Sequence, residues 1–181
     1  MPYDEDFEGS TGDWYPRGTN SSWAYGTPAG AKINSAASGT EAWITNLTGD
    51  YNTGEDSWME SPCFDFTTFV SPTLDVNIWY ETGLLGITRL QYTTDGTSWS
   101  NLDTWNGSSG AWENHVYDIS VLAGEAFVKF RVTMKAGISG TDEGIALDDF
   151  NIYDPPADDI GVIAISSPET GCSLTATEDV T

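Results

Sequence analysis

The chain has 181 residues and carries 28 acidic residues against 6 basic ones, a formal net charge of −22 at pH 7. A surface this acidic repels phosphate backbones and anionic lipid, so nucleic-acid binding and membrane-surface binding are excluded from the expected functions. Aromatic residues make up 13% of the chain, enough large apolar groups to argue against disorder. The length predicts one domain, or one domain and a fragment of another.

The acidity itself has two compatible interpretations. The carboxylates either form solvated faces suited to a saline or extracellular medium, or a few of them hold a hard cation such as Ca²⁺. No run approaches the roughly 18 apolar residues of a membrane span, so we expect no membrane insertion. The opening MPYDED is not a signal peptide. We expect the sequence to begin after an export signal, or Met1 to replace upstream residues.

Short β-rich runs separated by Gly, Ser, Asn and Asp predict an all-β chain, because helical periodicity is almost absent. Residues 73–80 and 127–134 alternate apolar and polar side chains, as antiparallel strands with one buried face do. Asp95-Gly96 predicts a hairpin turn into a strand at 98–100. The remaining pattern predicts an antiparallel two-sheet jelly-roll sandwich, with strands at 22–26, 41–47, 57–66, 73–81, 87–94, 112–119, 126–135 and 144–153.

A change of composition at 154–159 separates the domain, residues 3–153, from a short tail. Two prolines beside three acidic residues predict a stiff, solvated linker there. Residues 160–181 have the pattern of the first strands of a second, truncated module, and so short a segment cannot bury a core of its own. We expect it to be disordered or draped on a neighbouring domain.

Two cysteines and one histidine offer little chemistry. Cys63 stands at the start of a predicted strand and is expected to be buried and inert, while Cys172 lies in the tail, and a pairing between them stays open. Without a Cys/His cluster, a zinc site is excluded. His115 lies in a predicted strand with no activated serine at motif spacing, and we expect no enzyme.

Four short motifs lie, in this order, at residues 6–14, 42–51, 56–62 and 144–150. Together they resemble the MAM-like jelly-roll modules of secreted Bacteroidota proteins, specifically the choice-of-anchor J and cleaved-adhesin types. The resemblance covers residues 3–153. It implies a module of a secreted protease or surface protein, in many cases exported by the type IX route. The tail is similar to the Ig-like repeats that follow such modules. Animal MAM domains carry disulfide cysteines that this chain lacks, so their dimeric adhesion mode does not carry over.

The resemblance also implies a structural calcium ion, because relatives carry calcium where the first and last strands meet. The matching acids are Glu8, Asp56 and Asp148, with Asp149 as the alternative at the closing strand and Asp6 as a possible assistant. Gathered carboxylates repel one another unless a cation neutralises them, and Ca²⁺ accepts irregular sets of oxygen ligands. The alternative is a set of surface acids without a metal.

The tryptophans divide between core and candidate ligand-binding positions. Trp43 and Trp58 are expected in the core, whereas Trp79 lies opposite the apolar residues of its strand and is expected to be exposed. The tryptophans in Gly/Ser/Asn-rich surroundings either plug the ends of the sandwich, anchor an interface or stack on sugars; those placed in the candidate ligand site are Trp23, Trp105 and Trp112.

Together these features predict a non-catalytic, calcium-stabilised accessory or adhesion module of a secreted, multidomain surface protein or protease. Its partners would be an extracellular protein or glycan and the other domains of the same polypeptide. A dedicated carbohydrate-binding module is the alternative, and a structural spacer is the third.

Overall fold

The computed structural model of the protein describes residues 2–138 and 140–156, apart from the side chain of Leu84. The described chain is all-β and confirms the predicted fold class. The predicted second module at 160–181, Cys172 and residues 157–159 of the linker lie outside the described residues. The strands are β1 (Tyr3–Glu5), β2 (Tyr15–Thr19), β3 (Trp23–Gly26), β4 (Ala42–Thr45), β5 (Asp56–Glu60), β6 (Thr73–Thr93), β7 (Ser100–Ser108), β8 (Glu113–Asp118), β9 (Lys129–Lys135) and β10 (Gly144–Tyr153), with a short 3₁₀ helix at Ser120–Leu122.

The long strand β6 connects the two sheets of the sandwich. Its first half pairs with β10 and β8, and with β4, β3 and β1 these strands form sheet I. Its second half pairs with β9 and β7, and β9 continues through β5 to β2 to form sheet II. Every pair is antiparallel. The first and last strands are neighbours, as predicted, because β1 pairs with β10 from Tyr3 opposite Ile152 to Glu5 opposite Phe150.

The prediction of two separate strands at 73–81 and 87–94 is wrong, because β6 runs without a break through 21 residues. Residues 82–86 lack the alternating pattern of the flanking segments. The ladder with β7 nevertheless continues across them through two register shifts, with Glu81 opposite Ser108 and Gly83 opposite Gly107. Gly83 adopts φ of +66°, a backbone conformation that favours glycine and lets the strand pass from one sheet to the other.

Other strand boundaries differ less. The last strand was predicted at 144–153 and is observed at Gly144–Tyr153. The Asp95-Gly96 turn does join β6 to β7, but β7 spans Ser100–Ser108 and not the predicted 98–100. The strand predicted at 57–66 ends at Glu60, since Pro62 cannot donate to a ladder. The short strands β1 and β2 were not predicted, because three and five residues of mixed polarity carry little periodic signal.

The main core lies between the sheets and follows the predicted alternation. Val128, Phe130, Val132 and Met134 are fully buried, and Phe130 packs its ring against those of Phe64, Phe66 and Phe150 at centroid distances of 5.5–6.3 Å. Large rings dominate this interior, as the aromatic composition suggested. Trp43 lies in the core as predicted, while Trp58 is only half-buried, on the outer face of sheet II.

A second, smaller apolar cluster lies on the outer face of sheet I and corrects the prediction for Trp79. That side chain is 9% exposed and is buried with Ile33, Ile44 and Ala146. The segment between β3 and β4, residues 27–41, supplies Ile33 and covers the ring. Trp79 does point away from the main core, but the outer face it points to is covered.

Glu143 holds this covering segment in place. Its carboxylate is 4% exposed and accepts hydrogen bonds from the backbone N–H groups of Ala31, Lys32 and Ile33 at 2.6–3.0 Å. Three consecutive amides that converge on one carboxylate satisfy a buried charge without a basic partner.

Cys63 is exposed, which corrects the expectation that it is buried. After β5 ends, Phe64 and Phe66 turn inward to the core, so the alternate positions Cys63 and Asp65 face outward. Within the described residues, no helix is long and apolar enough to cross a membrane.

Candidate functional site

Two of the three tryptophans predicted to bind ligand are core residues. Trp23 and Trp105 are each 7% exposed and belong to the main core, so their rings offer no face to a sugar in this conformation. Trp112 is half-buried; its indole N–H donates to the backbone carbonyl of Ser35 at 2.9 Å, and its ring meets that of Trp79 edge-to-face. Of the three, Trp112 is therefore the one with accessible surface.

The acids predicted at the closing strand lie where β10 bulges between Asp148 and Asn151. The Asp148 carboxylate is fully buried and accepts hydrogen bonds from the backbone N–H groups of Ala37 and Ser38 at 2.8 and 3.2 Å. Burial raises the pKa of Asp148 to about 7, because desolvation disfavours the ionised form. Asp149 is partly exposed and accepts from Ser38 Oγ and Asn77 Nδ2.

Glu8 binds the same loop, residues 37–41, from the start of the chain. Its carboxylate accepts from the backbone N–H groups of Thr40 and Glu41 at 2.6 and 2.8 Å, and these bonds lower the pKa of Glu8. Asp6 accepts from the Glu8 backbone N–H at 3.0 Å. Three of the predicted acids thus bond to segment 37–41, Glu8 from the start of the chain and Asp148 and Asp149 from β10. Asp6 bonds to the backbone of Glu8 instead.

Asp56 does not join them. It lies on β5 in sheet II, is exposed and pairs with Lys135 Nζ at 3.1 Å. In the part of the chain that the structure describes, no three His, Cys, Asp or Glu side chains are grouped as a metal site would require. The carboxylate oxygens of the other predicted acids are of the type that Ca²⁺ prefers. In this conformation, however, the carboxylates of Glu8 and Asp148 accept hydrogen bonds from backbone amides.

A cleft lies where β6 passes from sheet I to sheet II. It encloses about 680 Å³. Polar side chains from four segments converge there with three glycines, and its lining residues are Lys32, Asn34, Trp79, Glu81, Gly83, Gly107, Ser108, Gly110 and Asp142.

Opposite charges arrange the polar groups of this cleft. Lys32 Nζ donates to both carboxylate oxygens of Asp142 at 2.6–2.7 Å and lies 3.5 Å from Glu81, and the bonds to Asp142 raise the pKa of Lys32. Glu81 also accepts from Trp79 Nε1 at 3.1 Å and from Ser108 Oγ at 2.9 Å. The cleft therefore presents fixed acceptors and donors beside glycines that allow close approach to the backbone.

Sequence reasoning missed Lys32, Glu81 and Asp142. They come from three distant segments whose meeting depends on the crossover of β6 and on the path of residues 27–41, neither of which has a periodic signal. A partial signal exists: Lys32 is one of only six basic residues, and in so acidic a chain a lone cation is expected to have acidic partners.

His115 lies on a strand, as the sequence predicted, and its Nε2 atom is 3.5 Å from a carboxylate oxygen of Glu113. It lies on β8 opposite Val76, with its ring between those of Trp105 and Tyr117. Its Nε2 atom is buried and has no hydrogen-bond partner among the described residues.

Comparisons with known proteins agree with the fold. No protein-family model matches the chain. Bacillopeptidase F of Bacillus subtilis (strain 168) is 26% identical over 161 residues, which are 86% of this chain but 11% of that protein. The chain thus spans about a ninth of the length of this relative.

Solved structures with the same fold include adhesin and carbohydrate-binding modules. The K1 cleaved adhesin domain of Lys-gingipain from Porphyromonas gingivalis W83 superimposes with a TM-score of 0.54 at 16% identity, covering 85% of this chain and 98% of that one. The C-terminal family 22 carbohydrate-binding module of Clostridium thermocellum Xyn10B gives 0.53 at 19% identity, covering 84% and 92%. TmCBM61, solved with β-1,4-galactotriose, gives 0.51 at 15%, covering 81% and 91%. At these identities the likeness establishes the jelly-roll β-sandwich and leaves the ligand to the chain's own residues.

Proposed function

We propose that the chain is a non-catalytic binding module of a larger secreted protein, and that its cleft at the β6 crossover binds a glycan. The observation that carries this proposal is the set of fixed polar groups in the cleft. Glu81, Asp142 and Lys32 hold one another in place, so their remaining lone pairs and protons are pre-oriented for sugar hydroxyls. Pre-orientation reduces the entropy lost on binding, and the glycines at the rim admit the ring of a sugar close to the backbone.

The folds found by comparison support a module of this kind. The matching structures are cleaved adhesin domains and carbohydrate-binding modules, and the Bacillopeptidase F match covers a small part of a much longer protein. Kinship with the MAM-like and choice-of-anchor J modules, secretion to the cell surface and export by the type IX route remain part of this proposal.

Calcium stabilisation also remains a proposal. Asp148 is a buried carboxylate without a basic partner among the described residues, and Glu8 grips the neighbouring residues of the same loop. For Ca²⁺ to bind there, these carboxylates would exchange amide donors for the cation, and backbone carbonyls of 37–41 would complete the shell.

Adhesion to a protein is the second candidate, and an apolar surface favours it. Leu85 is 49% exposed and Ile138 is 97% exposed, and with Ile87 and Ala136 they line an apolar depression at one end of the molecule. Exposed apolar side chains that are grouped in this way mark contact sites more often than scattered ones do.

A glycan array of neutral oligosaccharides, followed by calorimetric titration of the best ligand, tests the cleft. Asp142→Asn releases Lys32 and removes one acceptor, so we expect binding to fall about tenfold or more. Glu125→Gln is the control and should bind like the parent protein, because Glu125 is exposed, does not line the cleft and makes no side-chain hydrogen bond among the described residues.

If Asp142→Asn bound the glycan as tightly as the parent protein does, the cleft would not be the glycan-binding site. Silence on the array, together with capture of a purified matrix protein that is lost on Leu85→Ser, would replace glycan recognition by protein adhesion.

A further inference from the structure

The six basic residues of the chain are not spread over its surface. Five of them lie on one face, the outer face of sheet II, and Lys32 in the cleft is the sixth. Direct cross-strand partners lie on the same face, and the register places the five together: Arg17 on β2, Arg89 on β6, and Lys129, Arg131 and Lys135 on β9.

Only two carboxylates share this face on strands β2, β5, β6 and β9. Asp56 pairs with Lys135, and Glu60 pairs with Lys129 at 2.8 Å and with Arg17 at 3.5 Å. In residues 2–138 and 140–156, no carboxylate forms an ion pair with Arg89 or Arg131. Glu60 lies opposite Arg131 in the ladder, and both Glu60 and Asp56 attract its guanidinium at longer range. In a protein of net charge −22, two neighbouring guanidinium groups thus lack a contact ion pair within the described residues.

Arg131 is held in a fixed position. Its guanidinium lies over the rings of Trp99 and Trp58, at 4.2 and 5.0 Å from their centroids, and its Nε donates to Gln91 Oε1 at 2.7 Å. Stacking on indoles and one anchoring hydrogen bond orient the group. The Nη atoms form the fork that matches a carboxylate, and no residue that the structure describes accepts a hydrogen bond from them.

A depression of about 160 Å³ lies beside these groups. Arg89, Arg131 and Lys135 line it together with Ser57, Trp58, Gln91 and Thr133, and so does Asp56, whose carboxylate is paired with Lys135. Its volume suits one acidic group and part of the ring that carries it. Apart from Trp58 the side chains named here are polar, whereas peptide-binding sites bury apolar anchors.

We propose that this depression binds the carboxylate of an acidic sugar within a glycan chain, at a site separate from the cleft. The guanidinium groups of Arg89 and Arg131 would hold the carboxylate by charge-assisted hydrogen bonds, and Gln91 and Thr133 would contact neighbouring hydroxyls. The net charge restricts the ligand further. Within a Debye length of about 8 Å the field is that of the local cations, but at longer range the protein repels densely charged polyanions. A glycan with sparse carboxylates fits both conditions.

Titration of the full 181-residue chain with trigalacturonate, β-1,4-galactotriose and poly-L-glutamate, followed by NMR and calorimetry, tests the proposal. We expect trigalacturonate to bind and to perturb the indole signals of Trp58 and Trp99. Arg89→Gln, which breaks no ion pair among the described residues, should weaken this binding about tenfold or more without changing the melting temperature. Lys32→Gln removes the same charge at the cleft and should bind trigalacturonate within about twofold of the parent protein.

Binding of the neutral trisaccharide with the same affinity, or an Arg89→Gln variant that binds like the parent, would overturn the site. If poly-L-glutamate bound more tightly than trigalacturonate, and if that binding depended on Arg89, the ligand of this site would be an acidic protein segment and not a sugar. If only Lys32→Gln lost binding of the neutral glycan, that result would bear on the cleft and not on this depression. The two proposals can therefore be refuted independently.

Discussion

At the scale of single residues, some of the acids stabilise loops, a role that differs both from solvated surface acids and from ligands of a cation. Four carboxylates of the described residues are buried, and three of them bind backbone amides or hydroxyls of loops: Glu55, Glu143 and Asp148. Glu55 accepts from the Ser22 backbone N–H, Ser22 Oγ and Ser57 Oγ, and so ties the start of β3 to β5. Each of these acids fastens a segment without periodic structure, because a carboxylate can satisfy several donors at once.

Asp148 makes the stability of the domain depend on pH. Its pKa in the folded protein is about 7, against about 3.9 in an unfolded chain. Between these values the folded state binds more protons than the unfolded state, so the free energy of unfolding falls as pH rises from about 4 to 7. The contribution that is lost amounts to about 2–4 kcal/mol. Urea unfolding at several pH values should show this fall in the parent protein and not in Asp148→Asn.

Asp4→Asn is the matched control, since Asp4 is an exposed carboxylate on β1; its profile should follow that of the parent protein. If the free energy of unfolding of Asp148→Asn fell with pH as that of the parent protein does, the cause would be the general repulsion among 28 acids and not Asp148. Because Ca²⁺ favours the ionised carboxylate, saturating calcium would abolish the fall if it binds here.

At the scale of elements, the covering of sheet I by residues 27–41 determines whether Trp79 is structural. Its ring is buried with Ile33, Ile44 and Ala146, so Trp79→Ala leaves a cavity and should reduce the free energy of unfolding by about 3–5 kcal/mol. Trp112→Ala, at the half-buried edge of the same cluster, should cost clearly less. Equilibrium urea unfolding measures both. Equal stability of Trp79→Ala and the parent would instead mean that the ring is exposed, as the strand pattern alone suggested.

The sequence predicted those elements whose signal is local. Alternation on the first half of β6 and on β9 predicted their inward faces, and on β9 it already placed Lys129 and Arg131 on the outward face. What alternation cannot give is strand order, which brings Arg17 and Arg89 beside them. The contact of Glu143 with residues 31–33 likewise joins segments about 110 positions apart, and no local pattern announces it. The candidate sites were therefore less predictable than the fold.

At the scale of the whole molecule, charge is segregated and not simply excessive. Five of six cations occupy one face of sheet II, while the acids at both ends of the domain approach the 37–41 loop beside sheet I. Such segregation orients an approaching anion or cation toward opposite parts of the surface. It also makes the two proposed ions, a sugar carboxylate and Ca²⁺, independent of each other.

Thermal melting with excess EDTA and then with millimolar Ca²⁺ tests the second of these. A ligand that binds only the folded state at 100 times its Kd adds about 2.7 kcal/mol, which for a domain of this size predicts an increase in Tm of roughly 5–10 °C. Glu8→Ala and Asp148→Ala should abolish the increase. Asp56→Ala should retain it, because that carboxylate lies on sheet II and pairs with Lys135. An unchanged Tm in the parent protein, with no calcium found by elemental analysis, would show that the amide-bound carboxylates are the final arrangement and that the loop needs no metal.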